Sequence, residues 1–115
     1  MKKQRAVAAL DALAQDSRLD AFRLLVEAGP GGMPAGHIAA SLRLSPNALS
    51  FHLDRLRTAG LISVHREGRQ MIYAAEIAAM NALVSYLTDQ CCQGRPDLCR
   101  PPVRKARARK TERMP

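Results

Sequence analysis

Tryptophan is absent from this 115-residue chain, and only Phe22, Phe51, Tyr73 and Tyr86 are aromatic. Its core must therefore be aliphatic, drawn from Leu, Ile, Val, Met and Ala. Such a core is small, and self-association is a natural way to bury more surface. No apolar run approaches the ~20 residues needed to span a bilayer. The basic start Met1-Lys2-Lys3-Gln4-Arg5 leads into a stretch with Asp11, Asp16, Arg18 and Asp20, so no signal-peptide apolar core is present. A cytoplasmic location without a membrane partner is expected. Cysteine is scarce, at three residues. In a reducing compartment these are free thiols or metal ligands rather than disulfides. The marks of an enzyme are missing as well. There is no nucleophile–base pair, no paired catalytic carboxylates and no phosphate-cradling loop, because Gly29, Gly31 and Gly32 follow a helical pattern rather than a strand.

What the chain has in excess is positive charge, a formal +8. Its distribution matters more than its size. Seven basic residues and one acid fall in Arg100–Pro115, which leaves eleven basic and nine acidic residues before them. The body is nearly balanced, and the charge lies in the run from Arg100 to Lys110. That tail reads either as solvated, disordered charge or as an arm attracted to phosphate, and charge alone does not choose between them.

The hydrophobic period gives the order of elements. Val7, Leu10, Leu13 and Ala14 mark a first helix over 2–15. Asp16-Ser17 offers an N-cap for a second over 17–28, with Leu19, Phe22, Leu25 and Val26 on its apolar stripe, ended by Gly29-Pro30. Pro34 suits the first turn of a short third helix over 34–43. Arg43-Leu44-Ser45-Pro46 reads as a tight connection, with Ser45 as N-cap of a fourth helix over 46–58. Leu44 and Leu49 stand at the spacing of a hydrophobic staple. After Gly60 the period changes to two. Residues 61–65 and 70–74 read as strands, joined by a turn over 66–69. A last helix over 76–90 carries Ile77, Met80, Leu83, Val84 and Leu87. The predicted fold is mainly α with a β-hairpin wing (α+β): four helices, two strands and a closing helix. A short helix, a tight turn and a capped helix followed by a hairpin form a winged helix-turn-helix.

In that arrangement the fourth helix presents its N-terminal residues to DNA. Leu49, Leu53 and Leu56 point inward, which leaves Asn47, Ser50 and His52 as polar groups near the helix start. Asn pairs with adenine edges, and Ser reaches bases or phosphates. Arg55 is a candidate backbone contact, as is Arg57, although either can pair with Asp54. Arg66, Arg69 and Gln70 lie on the wing, within reach of phosphate or the minor groove. His52 also has a packing role open to it, and His37 and His65 read as bystanders.

The run from Ser45 to Ile62, the wing Arg66-Glu67-Gly68-Arg69 with Tyr73, and Leu13-Ala14-Gln15-Asp16-Ser17-Arg18-Leu19 together resemble the ArsR/SmtB repressors, over roughly residues 8–90. The resemblance implies a homodimer formed through the first and last helices. It also implies two recognition helices on a palindromic double-stranded operator, and an inducer that lowers DNA affinity.

All three cysteines fall in Cys91-Cys92-Gln93-Gly94-Arg95-Pro96-Asp97-Leu98-Cys99. Adjacent residues on a helix point about 100° apart, so convergence on one ion requires the turn that Gly94 and Pro96 supply. Structural zinc takes four ligands, and no His or fourth Cys lies close by. Three soft thiolates with a vacant apex suit As(III) or Sb(III), and Arg95 favours the thiolate form. The third helix lacks the cysteine pair that many ArsR/SmtB members carry, and 76–90 lacks the His of the zinc sensors. The Cys-Cys…Cys pattern is similar to an arsenic-responsive ArsR subgroup. That likeness assigns metalloid binding to Cys91, Cys92 and Cys99. It divides the chain into a DNA-binding and dimerisation domain (1–92), a thiol segment (91–99) and a basic tail (100–115). A thiol redox regulator on the same fold, or a metalloid-binding protein without an operator, are the alternatives.

Overall fold

The computed structural model describes residues 1–89. The remainder, with the cysteine segment and the basic tail, lies outside the described residues. The order is α1 (Lys3–Leu13), α2 (Asp16–Ala28), β1 (Met33–Pro34), α3 (Ala35–Leu42), α4 (Pro46–Thr58), β2 (Ile62–Glu67), β3 (Gln70–Ala75) and α5 (Ile77–Thr88). This is the expected winged helix-turn-helix with one addition. Strand β1 pairs antiparallel with β3 through Met33↔Tyr73 and Pro34↔Ile72, which gives a three-stranded sheet ordered β1-β3-β2.

The extra strand corrects the reading of Pro34. It is not in the first turn of α3 but precedes it, extended at φ −66°, ψ 148°. Proline has no N–H to leave unpaired at a sheet edge, so an edge strand accepts it. The chain reaches this strand through Gly32, whose φ of +73° and contact with the Tyr73 carbonyl leave no room for a Cβ.

Helix α1 turns a different face inward from the one its largest residues mark. Ala6, Ala9 and Ala12 are buried, whereas Val7 and Leu10 are 58% and 42% exposed. Small side chains let α1 lie close against α2 and α4, and the larger apolar groups are left outside. Helix α2 begins one residue earlier than expected. Gln15, not Asp16 or Ser17, is its N-cap, and the Gln15 side-chain oxygen accepts the Arg18 N–H at 2.9 Å. Asp16 falls in the first turn, where its charge favours the helix dipole.

The core is aliphatic, as the composition requires. Leu25, Ile38, Leu56 and Leu61 are its largest fully enclosed side chains, and Phe22 is the buried aromatic ring. Each such Leu or Ile contributes roughly 1.5–3 kcal/mol. Helix α5 gives the core only Leu83, with Met80 partly buried against it. Ile77, Val84 and Leu87, which share the helical spacing of Met80 and Leu83, are exposed. Twelve residues of α5 thus bury a narrow strip and present a wide apolar face outward.

Candidate nucleic-acid interface

The turn between α3 and α4 is fixed by backbone bonds. Arg43 adopts a left-handed conformation (φ 57°, ψ 44°). Its N–H donates to the Ala40 carbonyl at 3.3 Å, and the Leu44 N–H donates to Ala39 at 3.0 Å. This pair of bonds is the Schellman pattern, which closes a helix and redirects the chain. Ser45 then caps α4: its hydroxyl oxygen accepts the Ala48 N–H at 3.2 Å. Pro46 has no N–H to satisfy, so few donors at the α4 mouth need a partner other than solvent or a phosphate. Leu44 lies partly buried against the core to which Leu49 belongs, where a staple would hold it.

Leu49, Leu53 and Leu56 are buried and hold α4 against α2 and α3, which fixes its outward face. Asn47, Ser50 and Arg55 are exposed on the helix surface, at the positions expected for DNA contact. Arg55 lies over the Phe51 ring, 5.5 Å from its centroid. Arg57 stands 3.7 Å from Asp54, with both side chains exposed, so their pairing contributes little. Arg66, Arg69 and Gln70 are exposed at the far end of the hairpin.

The hairpin itself is longer than the sequence implied. Strands run to Glu67 and restart at Gln70, so the turn is Gly68-Arg69 alone. Gly68 has φ +61° and Arg69 is not in the positive-φ region, the pattern in which glycine is favoured first in a two-residue turn. Arg66 donates its Nε–H to the Gly68 carbonyl at 3.2 Å, which ties its guanidinium to the tip. His65, read as a bystander, sits 2.9 Å from Glu67 and so occupies the wing's carboxylate.

His52 is placed differently from its neighbours. It is half-buried, and its Nδ1 lies 3.3 Å from the Arg18 guanidinium. A guanidinium has no acceptor, so Arg18 donates and Nδ1 carries no proton. Burial, and then the Arg18 charge, lower the His52 pKa below the ordinary histidine value. The ring is therefore neutral at pH 7, with Nε2–H as its donor. Arg18 also donates its Nε–H to the Ala12 carbonyl at 2.7 Å. One side chain thus joins the end of α1, the start of α2 and α4.

Two features here escaped the sequence reading. Arg18 gave no sign of its role, because its partners stand 6 and 34 residues away. Phe51 is legible by position, four residues after Asn47, but its apolar ring carries no hydrogen-bonding group to mark it as a DNA contact. Among the described residues no group of three or more His, Cys, Asp or Glu comes together to hold a metal. The three cysteines lie outside those residues. No described helix is long and apolar enough to cross a membrane.

Known proteins carry the same assembly. A family model described as a helix-turn-helix domain matches residues 13–65, from the end of α1 into β2. The HTH-type transcriptional regulator YgaV of Escherichia coli K12 is 33% identical over 89 residues, 77% of this chain and 88% of its own. The transcriptional activator HlyU of Vibrio cholerae is 30% identical over 89 residues, covering 77% and 80% of the two chains. A solved HlyU structure superposes with a TM-score of 0.60 at 33% identity, over 76% of this chain and 97% of that one. The homodimeric winged helix-turn-helix DNA-binding domain of a possible ArsR-family regulator from Mycobacterium bovis superposes with a TM-score of 0.61. It is 26% identical and covers 80% of this chain and 85% of that one. With the α3–α4 motif, the wing and these relatives in agreement, the chain belongs to the ArsR/SmtB family of winged helix-turn-helix transcriptional regulators.

Proposed function

We propose that this regulator is an arsenic-responsive repressor. As a homodimer it binds operator DNA, and As(III) or Sb(III) held by Cys91, Cys92 and Cys99 releases it. The observation that carries the reading is the grouping of all three cysteines within nine residues, beginning three positions after the last residue of α5. Three thiolates are a soft donor set suited to a trivalent metalloid.

The dimer is supported by the faces that α1 and α5 leave outside the core. These two helices pack against each other, and each presents exposed apolar groups: Val7 and Leu10 on α1, Val84 and Leu87 on α5. In a two-fold dimer formed through these faces, the two α4 helices would each meet one half-site of a palindromic operator. Asn47 and Ser50 read bases there, while Arg55, Arg66, Arg69 and Gln70 hold phosphates or the minor groove. His52 offers its Nε2–H. A metalloid bound by the segment that follows α5 in sequence would act on the dimer contact and, through it, on the spacing of the two recognition helices. A coupling of about 1–3 kcal/mol changes operator affinity ~5- to 150-fold. The cytoplasm is where such a regulator meets DNA.

Fluorescence anisotropy of a labelled fragment of its own promoter tests this, with competitor DNA at fixed salt because phosphate contacts bind any sequence. Wild type should bind specifically and leave on addition of arsenite, and a Cys91/Cys92/Cys99 triple serine variant should bind and stay. Specific binding that arsenite does not disturb, but peroxide does, would replace metalloid sensing with thiol oxidation. Transcription that rises rather than falls when the protein is added would make it an activator, as its relative HlyU is named.

A further inference from the structure

Phe51 is 57% exposed, yet it belongs to neither of the two helices whose apolar faces await a partner. It stands on α4, about 200° round the helix from buried Leu49, so it points almost directly away from the core. Asn47, four residues before it, and Arg55, four after, are exposed on the same ridge. An apolar ring thus sits at the middle of the surface that faces the major groove. Its position is constrained: the Arg55 guanidinium covers the ring at 5.5 Å, and the His52 ring meets it in an edge-on arrangement, centroids 5.7 Å apart and planes at 64°. His52 is in turn held by Arg18.

In the major groove one base pair alone offers an apolar group, the 5-methyl of thymine, and Phe is among the side chains that meet it. We propose that Phe51 is a specificity-determining residue that packs against the methyl group of a thymine in each half-site. This rests on the reading of α4 as the DNA-recognition helix. Asn47 on the same ridge supplies the hydrogen-bonding partner for an adjacent base edge. Arg55 has a double role, covering the ring and bringing a cation to the flanking phosphate.

Uracil lacks only that methyl, so replacing dT by dU tests the contact without altering the protein or the Watson–Crick pairing. An operator duplex, chosen by repeated selection from random DNA against a competitor, is substituted one thymine at a time. Binding is then measured by anisotropy for wild type and for Phe51→Ala. Wild type should lose ~3- to 10-fold in affinity at one thymine per half-site, the effect of one methyl contact, and little elsewhere. Phe51→Ala should lose a similar factor on the thymine duplex and nothing further on the uracil duplex. Wild type that binds every dU duplex as tightly as the parent would overturn the proposal, and so would Phe51→Ala that still discriminates T from U. A Phe51→Ala variant with weakened self-association and unchanged operator affinity would assign the ring to a protein contact instead. Selection that yields no specific duplex would overturn the DNA-recognition reading itself, an outcome separate from the other three. Because Phe51 is exposed, circular dichroism should find the variant folded, and the dU series on wild type needs no variant.

Discussion

Leu87 offers the sharpest handle on the proposed dimer. It is 54% exposed in the single chain, at the outer end of α5. Burying a whole leucine side chain contributes roughly 1.5–3 kcal/mol, so covering the exposed half contributes about 1 kcal/mol. A two-fold interface uses the residue twice, which makes ~2 kcal/mol per dimer, or ~30-fold in the dissociation constant. Leu87→Ala should therefore raise the dimer dissociation constant by about that factor in sedimentation equilibrium. The monomer should remain folded by circular dichroism, because Leu83 and not Leu87 carries the helix's buried contact. Val84→Ala, at 53% exposure, should give a smaller effect in the same direction. Met71→Ala is the control: its side chain is also exposed, but on the wing. A Leu87→Ala dimer as tight as wild type would refute the assignment of α5 to the interface. Equal weakening by Met71→Ala would refute it as well.

Three further outcomes follow from the geometry. Gly32→Ala places a Cβ against the Tyr73 carbonyl at a backbone with positive φ, and should cost about 2 kcal/mol or more in urea unfolding by detaching β1 from β3. Ser45→Ala removes the acceptor of the Ala48 N–H and should lower stability by ~1 kcal/mol, with weaker operator binding because the start of α4 frays. The His52 pKa is lowered in the fold, so its contribution to stability is complete above the unfolded value of about 6.5 and declines as pH falls from there through the folded value. Arg18→Ala should move the His52 titration, followed by NMR, upward only part of the way, since burial of the ring remains. A downward movement would contradict the pairing.

The fold was largely readable because its elements are long and their periods clear. The turn at Arg43–Pro46, the Ser45 cap and the Leu49/Leu53/Leu56 stripe all stand where local chemistry puts them. What was misplaced depended on distant neighbours. Strand β1 has two residues, too few for any period to show, and exists because β3 lies beside it. The inward face of α1 is not marked by its largest residues, because close packing against α2 and α4 selects Ala6, Ala9 and Ala12 and leaves Val7 and Leu10 outside. That placement and the exposure of Val84 and Leu87 have one origin. A sequence marks apolar residues without saying whether its own core or a partner will cover them. At the site, exposed polar positions on α4 and the wing were evident from the helical and two-residue periods. The Arg18–His52 bond and the Phe51–Arg55 stack were not, because each depends on the direction of a side chain.

The central claim, that α4 and the wing read DNA from a two-fold dimer, is tested most directly by a footprint on the protein's own promoter. Two symmetric protected half-sites should appear, with centres about one or two helical turns apart, roughly 10 or 20 base pairs. Asn47→Ala should remove the protection while Met71→Ala leaves it. Protection without symmetry, or a footprint that Asn47→Ala leaves intact, would contradict the account.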